Sequence, residues 1–191
     1  MKKLLSYTIV IAAMASTQAF AQAQNFEGFS VGANAEFDRS TVSGSSASDS
    51  GNSTSVGLQG QYHWALGSNF LLGLGLTANA GNRKAGLYAS GADAYTKDRY
   101  AFDIMPSYAV SDKVLVYAKV SSVSANAVGS DSSTVATQGV GYGLGVRGLI
   151  DRNLYWQAGY DSVKFNDVTF SNGATNSLKS EVYSLGLGYK F

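Results

Sequence analysis

The sequence predicts an all-β fold: an eight-stranded antiparallel transmembrane up-and-down β-barrel. Three observations predict it. Apolar residues recur at every second position over eight segments, each long enough to cross a bilayer as a tilted strand. The connections between the segments alternate between short and long. Glycine is abundant, at 22 residues, while cysteine is absent and proline occurs once, at Pro106. An interior glycine costs a helix about 1 kcal/mol relative to alanine. No apolar stretch after residue 21 is long enough for a membrane helix, so a membrane role requires a closed barrel.

The chain opens with an export signal. Lys2 and Lys3 precede the apolar run from Leu4 to Ala15, and Ala19-Phe20-Ala21 has the small-x-small pattern of a cleavage site. A membrane helix needs roughly 20 apolar residues, and this run is shorter. Cleavage after Ala21 leaves Gln22 first, and Ala21-Gln22-Ala23 offers a second site. The expected organisation is a signal peptide over 1–21 and one barrel domain over 22–191. Loss of Lys2 and Lys3 from 14 basic residues leaves 12 against 13 acidic ones. No basic patch stands out, so nucleic-acid binding has no support. A small exported domain without disulfides needs another source of stability. A closed hydrogen-bond ladder without edges supplies it.

The eight segments follow in order. In 28–38, Phe29, Val31, Ala33, Ala35 and Phe37 share one face; Ser30, Gly32, Asn34 and Glu36 share the other. In 54–64, Val56, Leu58, Tyr62 and Trp64 oppose Ser55, Gly57, Gln59, Gln61 and His63. In 70–80, Phe70, Leu72, Leu74, Leu76 and Ala78 oppose Gly73, Gly75, Thr77 and Asn79. In 98–109, Tyr100, Phe102, Ile104 and Tyr108 oppose Arg99, Ala101, Asp103 and Ser107. Pro106 lies in this fourth segment, where a missing amide is expected to mark a bulge or a strand end. In 114–125, Val114, Val116, Ala118 and Val120 oppose Tyr117, Lys119 and Ser121. In 138–149, Val140, Tyr142, Leu144 and Val146 oppose Gly139, Gly141, Gly143, Gly145 and Arg147. In 154–164, Leu154, Trp156, Ala158 and Tyr160 oppose Gln157, Gly159 and Asp161. In 180–191, Tyr183, Leu185, Leu187, Tyr189 and Phe191 oppose Ser184, Gly186, Gly188 and Lys190.

The polar face decides the architecture. A water-soluble barrel is apolar inside, whereas here the aromatics share one face and glycine, serine, amides and charges the other. That fits an apolar band toward lipid and a polar filling. The connections 65–69, 110–113 and 150–153 are short, with turn residues such as Asp151-Arg152-Asn153. Those at 39–53, 81–97, 126–137 and 165–179 are long and polar, and read as solvated loops. Short periplasmic turns and long outer loops place both chain ends in the periplasm. Trp64, Phe70, Tyr108, Trp156 and Phe191 then fall near the periplasmic rim, as interfacial aromatics do.

Two stretches carry a family resemblance. Residues 139–165 resemble the penultimate hairpin of small outer-membrane barrels of the outer membrane protein A, outer membrane protein X and opacity-protein type. The end, Tyr183 to Phe191, is similar to their last strand. The resemblance implies a location in the outer membrane, with contact to its lipid and lipopolysaccharide. It also implies that Tyr183, Leu185, Leu187, Tyr189 and Phe191 are the signal read by the barrel-assembly machinery, and that the protein is a monomer. No peptidoglycan-binding domain follows the last strand, so an anchoring role is not implied.

No catalytic centre is expected. His63 is the only histidine, and no Asp-x-His or His-x-Ser occurs. One histidine without cysteine cannot make a metal site alone, and no cofactor is implied. The inward charges Glu36, Arg99, Asp103, Lys119, Arg147, Asp161 and Lys190 read as an ion-paired filling, because an isolated buried charge is very costly. A hairpin centred near Ser111 sets Asp103 opposite Lys119. The loop stretches Ser43 to Asn52 and Gly129 to Thr134, and Arg83-Lys84 with Tyr88, read as exposed. The leading functional expectation is a structural or surface-interaction barrel, supporting envelope integrity or adhesion through its loops. A small porin is the alternative.

Overall fold

A computed structural model describes residues 22–43, 48–87, 93–128, 134–169 and 175–191. The predicted signal peptide with its cleavage residues Ala19 and Ala21 lies outside these, as do 44–47, Tyr88 and 129–133. The strands are β1 (Gly28–Ser43), β2 (Ser48–Ala65), β3 (Phe70–Ala80), β4 (Arg83–Leu87), β5 (Asp93–Ser111), β6 (Val114–Val128), β7 (Thr134–Leu149), β8 (Leu154–Phe165), β9 (Val168–Thr169) and β10 (Thr175–Lys190). β4 pairs only with β5, and β9 is a two-residue attachment to β10. The remaining eight are the staves, in the order β1-β2-β3-β5-β6-β7-β8-β10. β10 then pairs with β1 from Ser30↔Lys190 to Ser43↔Ser177, which closes the barrel.

The period-two pattern sets which way each side chain points. Leu58, Leu76, Leu144 and Leu187 point outward and are each more than 60% exposed. Their partners in alternation, such as Asn34, Gln59, Asp103 and Arg147, are buried inside. A continuous exposed apolar belt of this kind is stable only against lipid. One rim carries an aromatic belt: Phe70 meets Tyr108 edge to face at 5.0 Å, Tyr62 lies 4.6 Å from Trp64, and Phe29 stacks on Phe191 at 5.8 Å. All belong to the end with the short turns.

Three expectations need correction. The long connections are mostly strand. β1 and β2 stay paired out to Ser43↔Ser48, and β6 and β7 out to Val128↔Thr134. Their outward faces turn polar while apolar residues such as Val42, Ala125 and Ala127 face inward, so the lipid-facing alternation stops short of them. Cross-strand hydroxyl bonds stabilise them instead, at 2.9 Å for Thr41 with Ser50 and 3.0 Å for Ser43 with Ser48. Second, Pro106 marks neither a bulge nor an end. It points outward, and the β5–β6 register is unchanged across it, with Ile104 opposite Val120 and Ser107 opposite Tyr117. The register shifts lie elsewhere, between Lys97 and Tyr100, where Asp98 has φ 51°, and between Ala109 and Ser111. Third, Arg83 is not on the surface but fully buried.

Arg83 is buried because β4, still paired with β5 beyond the end of β3, folds inward against β2 and β1. The chain turns at Gly81 (φ +98°) and again at Gly86 (φ +129°), conformations that suit glycine. Gly86 packs on the backbone of Asp49 and Ser50, and the Leu87 amide donates to Asp49 Oδ2 at 2.8 Å. Ala85 thereby joins Val42, Val123, Val163, Phe165 and Leu178 in an apolar layer inside the long-hairpin end.

The short-turn end is filled from the N-terminal side. A 3-10 turn over Ala23–Phe26 lies across the opening and buries Phe26 against Leu71, Ala109 and Leu115. It is tied to the turns around it. The Ala23 amide donates to the Ser68 carbonyl at 3.0 Å, Asn69 Nδ2 to Gln22 Oε1 at 2.7 Å, and Asn25 Nδ2 to the Asp112 carbonyl at 3.2 Å. At the third turn, amides of Leu154 and Asn153 donate to Asp151 and hold its carboxyl below the usual range. That contribution is present above the ordinary carboxylate pKa and is lost as the pH falls through the depressed one. Phe26→Ala leaves a cavity in the inner mouth, and we expect a loss of about 3 kcal/mol in urea unfolding. Leu58→Ala on the outer wall, without such a cavity, is expected to cost less.

Candidate functional site

Between the two apolar layers lies a polar core, and its charges are the candidate site. Glu36 and Asp38 follow each other on the inner face of β1. Arg83, arriving from β4, pairs with Asp38 at 2.7 Å and also with Glu36. Arg99 of β5 approaches Asp38 at 3.5 Å. The remaining lone pairs are satisfied by neighbours: Ser180 and Ser40 donate to Asp38 at 2.6 and 2.5 Å, and Asn79 Nδ2 donates to Glu36 at 2.9 Å. Two carboxylates and two guanidiniums make this cluster neutral.

A second group lies on β6 and β8. Lys119 Nζ meets Asp161 Oδ2 at 2.8 Å. Asp103 is not the partner of Lys119, as the sequence suggested, but accepts from Ser121 at 2.5 Å and Thr77 at 3.0 Å. The reason is register. The turn is centred between Asp112 and Lys113 and, with the one-residue bulge between Ala109 and Ser111, sets Asp103 opposite Ser121, two residues beyond Lys119. A two-residue slip keeps every side chain on its face and changes only the partner.

Arg147 sits in the third group, without a carboxylate partner among the described residues. Its guanidinium donates to Gln61 Oε1 and, at 3.0 Å, to Gln157 Oε1, and lies 4.1 Å from the centroid of the Tyr155 ring. The amides continue from Gln157 to Asn34 at 2.8 Å and from Gln61 to Gln59 at 2.9 Å. A ring face and carbonyl dipoles thus replace a counter-charge locally. Four cations (Arg83, Arg99, Lys119, Arg147) face four carboxylates (Glu36, Asp38, Asp103, Asp161). Lys190 stands apart at the short-turn rim, where Nζ reaches the Glu27 carbonyl at 3.3 Å.

Sequence reasoning missed Asp38 and Arg83. Asp38 was within reach, since it shares the parity of Glu36. Arg83 was not, because nothing in the sequence shows β4 folding inward against β2 and β1. His63 is buried, and among the described residues its Nδ1 has no hydrogen-bond partner. Among the described residues no group of three or more His, Asp or Glu gathers as a metal site would require. The arrangement is charge-balanced and densely bonded, which suits a filled core.

Two tests follow from these pairings. Arg83→Ala leaves Glu36 and Asp38 short of a cation and is expected to cost about 3 kcal/mol in urea unfolding. The adjacent half-exposed Lys84→Ala should change stability by less than about 0.5 kcal/mol. A double-mutant cycle on Lys119 and Asp161 should give a coupling of about 1–2 kcal/mol, and the same cycle on Lys119 and Asp103 a smaller one.

Comparison with known proteins agrees with this geometry. The family model described as outer membrane protein beta-barrel domain matches residues 8–191. Ail, the attachment invasion locus protein of Yersinia pestis, solved in complex with the heparin analogue sucrose octasulfate, is similar in structure. The TM-score is 0.53 at 16% identity, over 86% of this chain and 99% of that one. Neisserial surface protein A gives 0.53 at 19% identity, over 86% and 98%. No match was found among curated protein sequences.

Proposed function

The chain belongs to the outer membrane protein β-barrel domain family, and from that membership we propose that it is a non-conducting barrel that works through its outer hairpins. The observation that carries this reading is the filled lumen. Phe26 and Leu71 close one end, Val42, Phe165 and Leu178 close the other, and a charge-balanced, hydrogen-bonded core lies between. An eight-stranded barrel is only wide enough for its own side chains. The porin alternative needs a continuous wet path, and the two apolar layers oppose one.

The short-turn end faces the periplasm in this reading and the long hairpins face outward. Cleavage after Ala21 is favoured, because Gln22 and Ala23 are built into the inner mouth. Contact with outer-membrane lipid and lipopolysaccharide follows from the exposed apolar belt. The outer parts of β1, β2, β5, β6, β7 and β10 form a polar palisade above the lipid, suited to envelope support or adhesion. No enzymatic role is assigned: His63 lies in the closed lumen, away from any outer surface. Among the described residues the eight staves close on themselves, which offers no stave edge to a second copy and favours a monomer.

The decisive experiment is conductance of the refolded protein in planar bilayers. We expect no stepwise openings, and steady ohmic channels would refute the filled-lumen reading. Sidedness is tested by thiol labelling of intact cells. Asn52→Cys should react with an impermeant reagent and Asp112→Cys should not. Deleting Phe191, the end of the proposed assembly signal with Tyr183, Leu185, Leu187 and Tyr189, should leave unfolded protein in the periplasm. Membrane yield and heat-modifiable gel migration measure that outcome.

A further inference from the structure

On β1, β10 and β8 the outward side chains line up rung by rung toward the long-hairpin end. Phe37 lies opposite Tyr183, and Tyr183 opposite Tyr160, with the two tyrosine rings 5.0 Å apart. One alternation further out, Arg39 lies opposite Glu181. The next rung sets Lys179 directly opposite Lys164. Lys179 bonds Glu181 at 2.8 Å. Arg39 and Lys164 are exposed, and among the described residues neither has a carboxylate partner. Two lysines facing each other on one side of a ladder repel. The patch holds three cations and one anion, so it keeps an excess of positive charge.

Height places these charges at a boundary. Arg39, Glu181 and Lys164 each stand ten residues along their strands from Phe29, Phe191 and Leu154 at the short-turn rim. At about 3.4 Å per residue and a tilt of about 40° that is about 26 Å, the height of the apolar band. The tyrosines end the apolar wall, and the cations begin where headgroup phosphates lie. Elsewhere at this height the outward positions among the described residues are uncharged, as at Thr54, Ala80, Ser124 and Gln138, apart from Lys97 beside Asp98 on β5.

We propose that Arg39, Lys164 and Lys179 form a binding site for the phosphorylated sugar headgroup of an outer-leaflet glycolipid. The Tyr160–Tyr183 pair packs against the lipid directly beneath. A phosphate between Lys164 and Lys179 removes their repulsion and gives Arg39 the anion it lacks. A guanidinium matches phosphate through two parallel donors, and the ammonium groups act as point charges. The choice of lipid over a soluble anion rests on the height of the patch and on its continuity with the tyrosines. The inference builds on the sidedness proposed above.

The test uses the refolded full mature barrel in micelles, titrated with bisphosphorylated lipid A and with the same lipid stripped of phosphate. Bound lipid is counted by native mass spectrometry. Each of Arg39→Ser, Lys164→Ser and Lys179→Ser should weaken binding of the phosphorylated lipid about fivefold, and the triple change about a hundredfold. Lys113→Ser, in a short turn, should leave it unchanged. Glu181→Gln should tighten it, a gain that loss of folding cannot mimic. Equal binding of the phosphate-free lipid, or a triple variant that is folded by gel migration and binds as the parent does, overturns the site. Displacement by millimolar inorganic phosphate overturns the lipid as ligand. Binding in micelles does not depend on sidedness, so a reversed barrel shows itself only in the thiol labelling.

Discussion

A backbone amide inside hydrocarbon has no water to bond, so every rung of a membrane sheet must find a protein partner. In this chain the demand is met by the ladder between β1 and β10, which runs from Ser30↔Lys190 to Ser43↔Ser177. Closure fixes what each residue faces. Once the sheet returns on itself, odd positions of β1 belong to lipid and even positions to a narrow interior. The outer leucines, the inner charges and the rim aromatics are consequences of that geometry. Pro106 illustrates how local the remaining freedom is. It faces lipid, and the pairing toward β6 pauses at Met105 and Pro106 and resumes in the same register.

The interior then has to be filled, and it is filled in layers. Apolar side chains are cheap to bury and pack each mouth, from Phe26 at one end to Phe165 at the other. Charges are costly to bury unless paired, and here they are held in three groups between those layers. Glycine makes room for large partners. Gly145 lies against the Tyr117 ring and Gly188 against Tyr155, so a Cβ at either would collide with the ring. Arg147 is the exception to pairing, and it is accommodated by amide carbonyls and the Tyr155 face. A core of this kind supports rigidity more readily than transport.

Rigidity inside and polarity outside divide the labour along each strand. The same β1 runs from Phe29 at the aromatic rim, past Glu36 and Asp38 in the core, to Thr41 and Ser43 above the lipid. Because the ladder continues outward, the outer hairpins are held by the barrel as extensions of its wall. The long-hairpin surface is therefore presented at a defined angle. β4 braces it from within, through Arg83 below and Leu87 above.

Alternation was legible in the sequence because a strand has period two, and lipid outside and polar filling inside impose opposite chemistry on its faces. The number of staves, their facing, the short turns and the inward position of seven charges could all be read in that way. Strand length above the lipid could not, since there the outward face turns polar and the inward face apolar, as at Val123, Ala125 and Ala127, and the lipid-facing pattern ends. Nor could partner choice: the turn at Asp112 and Lys113, with the one-residue bulge before Ser111, sets Asp103 against Ser121 instead of Lys119 without moving either off its face. The burial of Arg83 depended on β4 folding inward to reach Asp38 of β1, and the inner plug on Phe26 finding Leu71 and Leu115. Periodicity is a property of one strand and is written in its residues. Register, crossing and plugging are relations between distant segments, and only the closed barrel brings those segments together.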